Sequence, residues 1–427
     1  MEKKMFDVLS YYLNNGMRVL LHREPKSRVI KTGIIVSQGS SNESDDNNGI
    51  SHFLEHMLIA DNEEAPKIRE YKEELRKHGA SYNATTYKSS TMYYVVGLES
   101  GSEKYIDFLK EIVFENRKFL EKNMEKEKKI VERELSSYYA NFNQISDRAI
   151  QALYGEKDIG RIIVGKRDNV RKFESTDMEK VLNRTYTPEN TALVVFGDFD
   201  YYEMNDIIER KFASLEDQPT EKLVEPVQNT PSIYFNPHYS GENSIVSVCF
   251  RKTTALNKEL IQSTMNILVT AMSNPTLTNR IGYGLRFENN LAYQIGGFVS
   301  TLGRCNAAGI TAVGKSGDIP EIVKYALEQF EILRTDGFEE EELGRVKQHM
   351  VMQKLCEKSN LTTQADMLLK LAMDPMIYSP DNEIRVIEKL PLQDINKCLQ
   401  DILHPENFGL ACIGNCDINT MANMFSV

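Results

Sequence analysis

The chain has 427 residues, enough for two or more domains that each bury a core of their own. Its 62 acidic against 51 basic side chains give a net charge of −11, which excludes general electrostatic attraction to nucleic acid or anionic membranes; neither is expected as a partner. No apolar run approaches the ~20 residues of a membrane span, and the polar start Met1-Glu2-Lys3-Lys4-Met5-Phe6-Asp7 carries no apolar signal segment, so a cytoplasmic protein is expected.

After the turn signal Asn15-Gly16, alternation over Met17–His22 and again over Val29–Val36 predicts two strands of a sheet with one covered face. A loop rich in Ser, Asn and Asp runs from Gly39 to Gly49 and delivers the chain to Ile50-Ser51-His52-Phe53-Leu54-Glu55-His56-Met57, read as a helix. His52, Glu55 and His56 stand at i, i+3 and i+4, so a helix places all three on one face. Two imidazoles on neighbouring turns can bind one Zn²⁺ while the intervening carboxylate stays free to accept a proton, which is the chemistry of a zinc hydrolase. The order His-x-x-Glu-His inverts the commoner His-Glu-x-x-His arrangement.

A second helix over Lys67–His78 ends at Gly79, and Ala80–Lys88 with Thr91–Gly97 reads as a β-hairpin rich in Tyr, Thr and Val. Helices follow over Ser102–Glu115 and Glu121–Asn141, the latter heavily charged with Ile130, Val131, Leu135 and Tyr138 as apolar positions. Another begins near Thr176, and Leu193–Phe196 is a short strand. Asp217 to Pro231, with its three prolines, is the best linker candidate. Beyond it, strands at Ser232–Phe235 and Ile245–Phe250 precede helices at Lys258–Met272 and Leu277–Arg286. A hairpin spans Ala292–Val313, and helices are predicted at Ile319–Arg334, Glu339–Glu357 and Gln364–Met373.

The two halves share a signature. Pro188, Glu189, Asn190, Gly197 and Asp200 recur as Pro405, Glu406, Asn407, Gly414 and Asp417, all at an offset of 217. One offset over five identities indicates duplication. The expected fold is therefore α+β: two homologous domains, each a mainly antiparallel sheet with helices packed on it, at 1–216 and 232–427 with 217–231 between them. Only the first holds the His-x-x-Glu-His helix; the equivalent stretch Val269–Ser273 has none of those residues. The six cysteines all fall in the second half among apolar segments and read as buried thiols over disulfides or a metal site, with Cys412-x3-Cys416 discounted as a metal pair for want of a matching second pair.

A hydrolytic zinc usually has three protein ligands plus water, so the two histidines need a third. Glu127 and Glu134 lie seven residues apart, two turns along one stripe that Tyr138 continues, whereas Glu121 and Glu125 read as solvated charges. Together these motifs resemble the pitrilysin-type (M16, inverzincin) zinc metallopeptidases, the family of insulin-degrading enzyme and mitochondrial processing peptidase, and within it the short bacterial type with one two-domain half of a clamshell per chain. The resemblance covers nearly the whole chain, including Gly39-Ser40 and Glu43.

It implies one zinc per chain held by His52, His56 and Glu134, with Glu127 as an outer carboxylate that orients the site and Glu55 as general base toward the water that zinc activates. It implies that Tyr82-Asn83-Ala84-Thr85 supplies the edge strand to which a peptide substrate adds as an extra strand, engaging Asn83, Ala84 and Thr85. It also implies that Arg286 and Tyr293, seven apart, donate hydrogen bonds to substrate carbonyls or to the developing oxyanion. Without the resemblance Arg286 reads as a surface helix residue and Tyr293 as a core aromatic. Ile59-Ala60-Asp61-Asn62-Glu63-Glu64 departs from the family by lacking its common Gly-Thr.

The implied function is a zinc-dependent endopeptidase that cuts peptides or unfolded segments inside a closed chamber, as a homodimer or alternatively as a heterodimer with a related chain. The competing reading is a non-catalytic peptide-binding or scaffolding subunit of a heteromeric assembly, against which the intact motif counts. A zinc hydrolase of non-peptide substrates is disfavoured by the edge-strand hairpin.

Overall fold

The computed structural model describes residues 8–60, 66–216, 220, 232–236, 241–254, 256–373 and 380–424; the linker expected over 217–231 lies outside these except for Thr220. The α+β architecture is as expected, with two sheets and many helices. The first sheet contains β1 (Val8–Tyr12), β2 (Arg18–Arg23), β3 (Ile30–Val36), β4 (Ser81–Thr86), β5 (Thr91–Gly97) and β6 (Thr191–Gly197), in the order β1-β2-β6-β3-β5-β4. The second contains β7 (Ile233–Asn236), β8 (Asn243–Thr253), β9 (Ala292–Leu302), β10 (Cys305–Lys315) and β11 (Phe408–Ile413), in the order β7-β11-β8-β10-β9. Strand for strand, the second sheet repeats β2-β6-β3-β5-β4, and in each only the first pair, β2 with β6 and β7 with β11, is parallel. β1, which the alternation did not reveal, extends the first sheet alone.

Four of the five repeated residues have the same work in both halves. Pro188–Asn190 and Pro405–Asn407 each form a 3₁₀ turn, and the Asn side chain donates back to a carbonyl of the preceding helix end: Asn190 Nδ2 to Thr185 O at 2.7 Å, Asn407 Nδ2 to Ile402 O at 3.1 Å. The following strands run into Gly197 and Gly414 at φ 144° and 138°, backbone open to glycine and strained for other residues. Asp200 and Asp417 then accept from backbone N–H groups two and three residues on, capping the next helices.

Two compact units result. The first comprises residues 1–135, 163–224 and 357–381, the second 136–162, 225–356 and 382–427. The contiguous halves thus each lend one helix to the other's unit. Ile145–Tyr154 lies on the second sheet, packing Ile145, Ala149, Ile150 and Leu153 against Ile245, Cys249, Ala411 and Ile413. Leu361–Met373 lies on the first, packing Ala365, Leu368 and Leu369 against Leu20, Ile35, Val194 and Phe196. The offset of 217 carries 145–154 onto 362–371, so the exchanged helices are duplicates of one another. Both sheets are consequently covered on two faces, and β6 and β11 are buried at every position.

Three expectations are corrected. The helix predicted over Leu277–Arg286 is a single turn, Ile281–Tyr283, followed by a π-helical turn over Gly284–Glu288, because Gly282 and Gly284 sit where Ser273, Pro275 and Tyr325 approach too closely for a side chain. Tyr293 is 58% exposed rather than in the core, since β9 ends the sheet and its early residues face outward. Of the cysteines, Cys249 and Cys305 are buried thiols, but Cys356 is exposed, Cys398 half-buried, and Cys412 and Cys416 are joined in a disulfide across the turn at Gly414. No helix among the described residues is long and apolar enough to cross a membrane.

Candidate metal centre

The motif lies on the helix Ile50–Ile59. Phe53, Leu54, Met57 and Leu58 are buried in the core of the first unit, and this apolar stripe fixes which way His52, Glu55 and His56 face. Both ends are held. Gly49 enters the helix at φ 104° with its Cα packed against Gly165, a contact that leaves no room for a Cβ on either residue. The fully buried Glu43 carboxylate covers the first turn: Oε2 accepts from Gly49 N and Asn48 Nδ2, and Oε1 from Ser51 N, each at 2.8 Å. Burial pushes the pKa of Glu43 up to about 7 against the pull of those donors. At the other end, Lys72 Nζ donates to Ile59 O at 2.7 Å, putting a cation where the helix dipole is negative.

Glu127 and Glu134 come from the helix Glu121–Ala140 and meet the two histidines. His52 Nε2 and His56 Nε2 converge on one oxygen, Glu134 Oε2, at 3.6 and 3.2 Å, and one ligand atom from each of the three residues lies within 4.8 Å of the others. Glu127, almost fully buried, places Oε2 3.4 Å from His56 Nδ1, so the ring is held with Nε2 turned inward. Burial and the facing His56 push the pKa of His52 down to about 4, against the attraction of Glu134. Burial also opposes charge on His56, but Glu127 and Glu134 outweigh it and raise its pKa to about 10. The hydrogen bond from His56 holds the Glu134 carboxyl below the usual range despite partial burial. Two imidazoles with one carboxylate form the donor set of hydrolytic zinc sites, and the spread of these atoms fits a single ion.

Glu55 lies one turn on from His52 and next to His56, yet outside the three-residue cluster, so its carboxylate is no part of the ligand set. It is 7% exposed, and burial raises its pKa against the hydrogen bonds it accepts from Thr86, whose Oγ1 is 2.6 Å from Glu55 Oε2. Thr86 is the last residue of β4 and was not singled out by sequence; nothing in the spacing links it to a residue 31 positions away. Asn83, Ala84 and Thr85 precede it on the same strand, which ends its sheet, pairs with β5 on one side and packs against the motif helix. Arg286 and Tyr293 belong to the second unit, both exposed, on the Gly284–Glu288 turn and at the start of β9.

Residues 18–167 match the family model for Insulinase (Peptidase family M16), and residues 172–350 the one for the Peptidase M16 inactive domain. The chain is 26% identical over 345 residues to the uncharacterized zinc protease YmxG of Bacillus subtilis (strain 168), spanning 80% of this chain and 82% of that one. It is 27% identical over 209 residues to the probable mitochondrial-processing peptidase subunit beta of Arabidopsis thaliana, spanning 49% of this chain and 39% of that one. The crystal structure of a putative M16-like peptidase from Alicyclobacillus acidocaldarius superposes with a TM-score of 0.83 at 20% identity, over 97% of this chain and 99% of that one, a likeness of fold.

Proposed function

Because this chain belongs to peptidase family M16, we propose that it is a zinc-dependent endopeptidase hydrolysing peptides or unfolded segments inside a closed chamber. The observation that carries this is the convergence of His52 Nε2 and His56 Nε2 on Glu134 Oε2, one turn from a buried carboxylate that takes no part in that cluster. His52, His56 and Glu134 would hold one zinc per chain, which supplies Lewis-acid activation of water and of the scissile carbonyl. Glu127 fixes the His56 ring through Nδ1. Glu55 accepts the proton of the attacking water and returns it to the leaving amine. A peptide would lie along β4, pairing with its unpaired edge at Asn83, Ala84 and Thr85. Arg286 and Tyr293, exposed and carrying donors, would hold the substrate carbonyl or the oxyanion. Since one chain carries both sets of residues, the assembly proposed is a homodimer; the four free thiols are in keeping with the cytoplasm, and the Cys412–Cys416 disulfide counts against it.

The test is cleavage of a quenched fluorescent peptide library by zinc-loaded wild type and Glu55→Gln, with zinc content measured for both. Both should hold zinc, and only wild type should cut. A wild type that holds no zinc refutes the proposal in favour of a binding or scaffolding subunit.

A further inference from the structure

Glu55 has a base's position, but position alone does not aim a carboxylate. Its terminal torsion is a broad, roughly two-fold rotor with no strong preference of its own. A base must present one oxygen to the water it deprotonates, within hydrogen-bond reach. Something other than the Glu55 rotamer has to set that plane.

We propose that Thr86 is a positioning residue that sets it, an inference that rests on the peptidase reading. Thr86 Oγ1 donates to Glu55 Oε2 at 2.6 Å, and the Thr86 backbone N–H gives the carboxylate a second bond. Both donors come from one residue that cannot drift. Thr86 is 6% exposed, paired with Thr91 in the β4–β5 ladder, and closes the strand that packs on the motif helix. The carboxylate therefore inherits its orientation from the sheet. The hydroxyl holds Oε2, and the acceptor capacity that remains on the carboxylate is presented to the reacting water in a plane the strand sets. A threonine suits the place, because its β-branched side chain has few rotamers to lose in a strand. Glu55 thus has a sheet-borne anchor just as His56 has Glu127, and base and ligand are each oriented by a residue from a different element.

A purely structural role would be to satisfy a buried carboxylate and nothing more. The two roles separate in kinetics. Thr86→Val keeps shape and removes the hydroxyl, Thr86→Ala removes it with less bulk, and Thr86→Ser keeps it. In the zinc-loaded full chain, Val and Ala are expected to lower kcat about 10- to 100-fold with KM, zinc content and melting temperature like wild type, while Ser returns kcat close to wild type. In the Glu55→Gln background, adding Thr86→Val should leave the Kd for an uncleaved peptide unchanged, as expected of a residue that acts through Glu55 and does not touch substrate. Wild-type kcat in Thr86→Val, a loss that Ala does not share, no rescue by Ser, or a loss carried by KM would each overturn the inference while leaving the peptidase reading intact. A wild type that holds zinc and cuts no peptide overturns both.

Discussion

Replacing Glu43 by Gln is the most direct probe of how the motif helix is held. Four neighbouring donors, Gly49 N, Ser51 N, the Ser51 hydroxyl and Asn48 Nδ2, point at its two oxygens, and the side chain is fully buried. An amide in either orientation turns an NH2 toward at least one of them. One donor is then left buried and unpaired, which costs about 1–3 kcal/mol. Removing the negative charge at the helix N-terminus costs a further ~0.3–1 kcal/mol. A total of about 1.3–4 kcal/mol corresponds to a melting temperature lower by about 3–16 °C for a unit of 150–250 residues. The measurement is scanning calorimetry of metal-free protein at pH 8, above the Glu43 pKa of about 7, so that the carboxylate is the species replaced. Ser51 adjoins His52, so zinc affinity should fall in step, by about 10- to 100-fold. A Glu43→Gln protein that melts within about 1 °C of wild type and binds zinc as tightly would refute the claim that this carboxylate supports the helix.

Glu134→Gln should lose zinc, as metal analysis after dialysis decides, and because Glu134 is one of the two carboxylates that hold the His56 charge it should lower the metal-free melting temperature, by less than His56→Gln does. Tyr293→Phe should leave stability unchanged at so exposed a position and lower kcat by up to about 100-fold if its hydroxyl serves the oxyanion. Since the pKa of His56 is raised to about 10 without metal, zinc must displace a proton. Its apparent affinity should therefore rise about tenfold per pH unit between 7 and 9, and calorimetry in buffers of different ionisation heat should show about one proton released. The same shift stabilises the metal-free fold fully below the unfolded value of 6.5 and is lost as pH rises through about 10, so the melting-temperature gap between wild type and His56→Gln should close over that range.

The parts of the molecule legible in the sequence are those encoded by local pattern. Alternation revealed the strands equivalent to β2 and β3, a Tyr-, Thr- and Val-rich composition the hairpin of β4 and β5, and 3.6-residue periodicity the long helices, since burial on one face writes itself into spacing. The turn over Gly284–Glu288 did not show, because it depends on how closely Tyr325 and Pro275 approach two glycines. Helix Ile145–Tyr154 was missed for a related reason. It lies on the second sheet with Asp147 and Arg148 buried along with its apolar residues, a burial set by tertiary packing and not by its spacing. In the metal centre, the i, i+3, i+4 spacing and the Glu pair could be read as chemistry, whereas Thr86 and Lys72 reach the site only through tertiary contact.

The duplication shows how little the fold demands of these residues. The helix Lys258–Ser273 follows β8 in the second unit as the motif helix follows β3 in the first, and from Ile261 to Ser273 it carries neither histidine nor carboxylate. There Met272 is fully buried, Val269 packs on the core so close to β9 that a Cβ at Gly297 would meet its Cγ1 at 2.5 Å, and Ser273 Oγ donates to Val269 O within the same helix. This helix serves packing alone, whereas the motif helix keeps two imidazoles and a carboxylate on one face, which forgoes the apolar burial that other side chains there could provide. In the first unit the deficit is offset by the caps Glu43 and Lys72 at the helix ends and, on the proposed function, by the bound ion, whose affinity adds directly to folding stability. Metal removal should accordingly lower protection against amide exchange along Ile50–Ile59 and leave Lys258–Ser273 unchanged. Equal loss in both helices would mean that the ion stabilises the chain by some route other than the site itself.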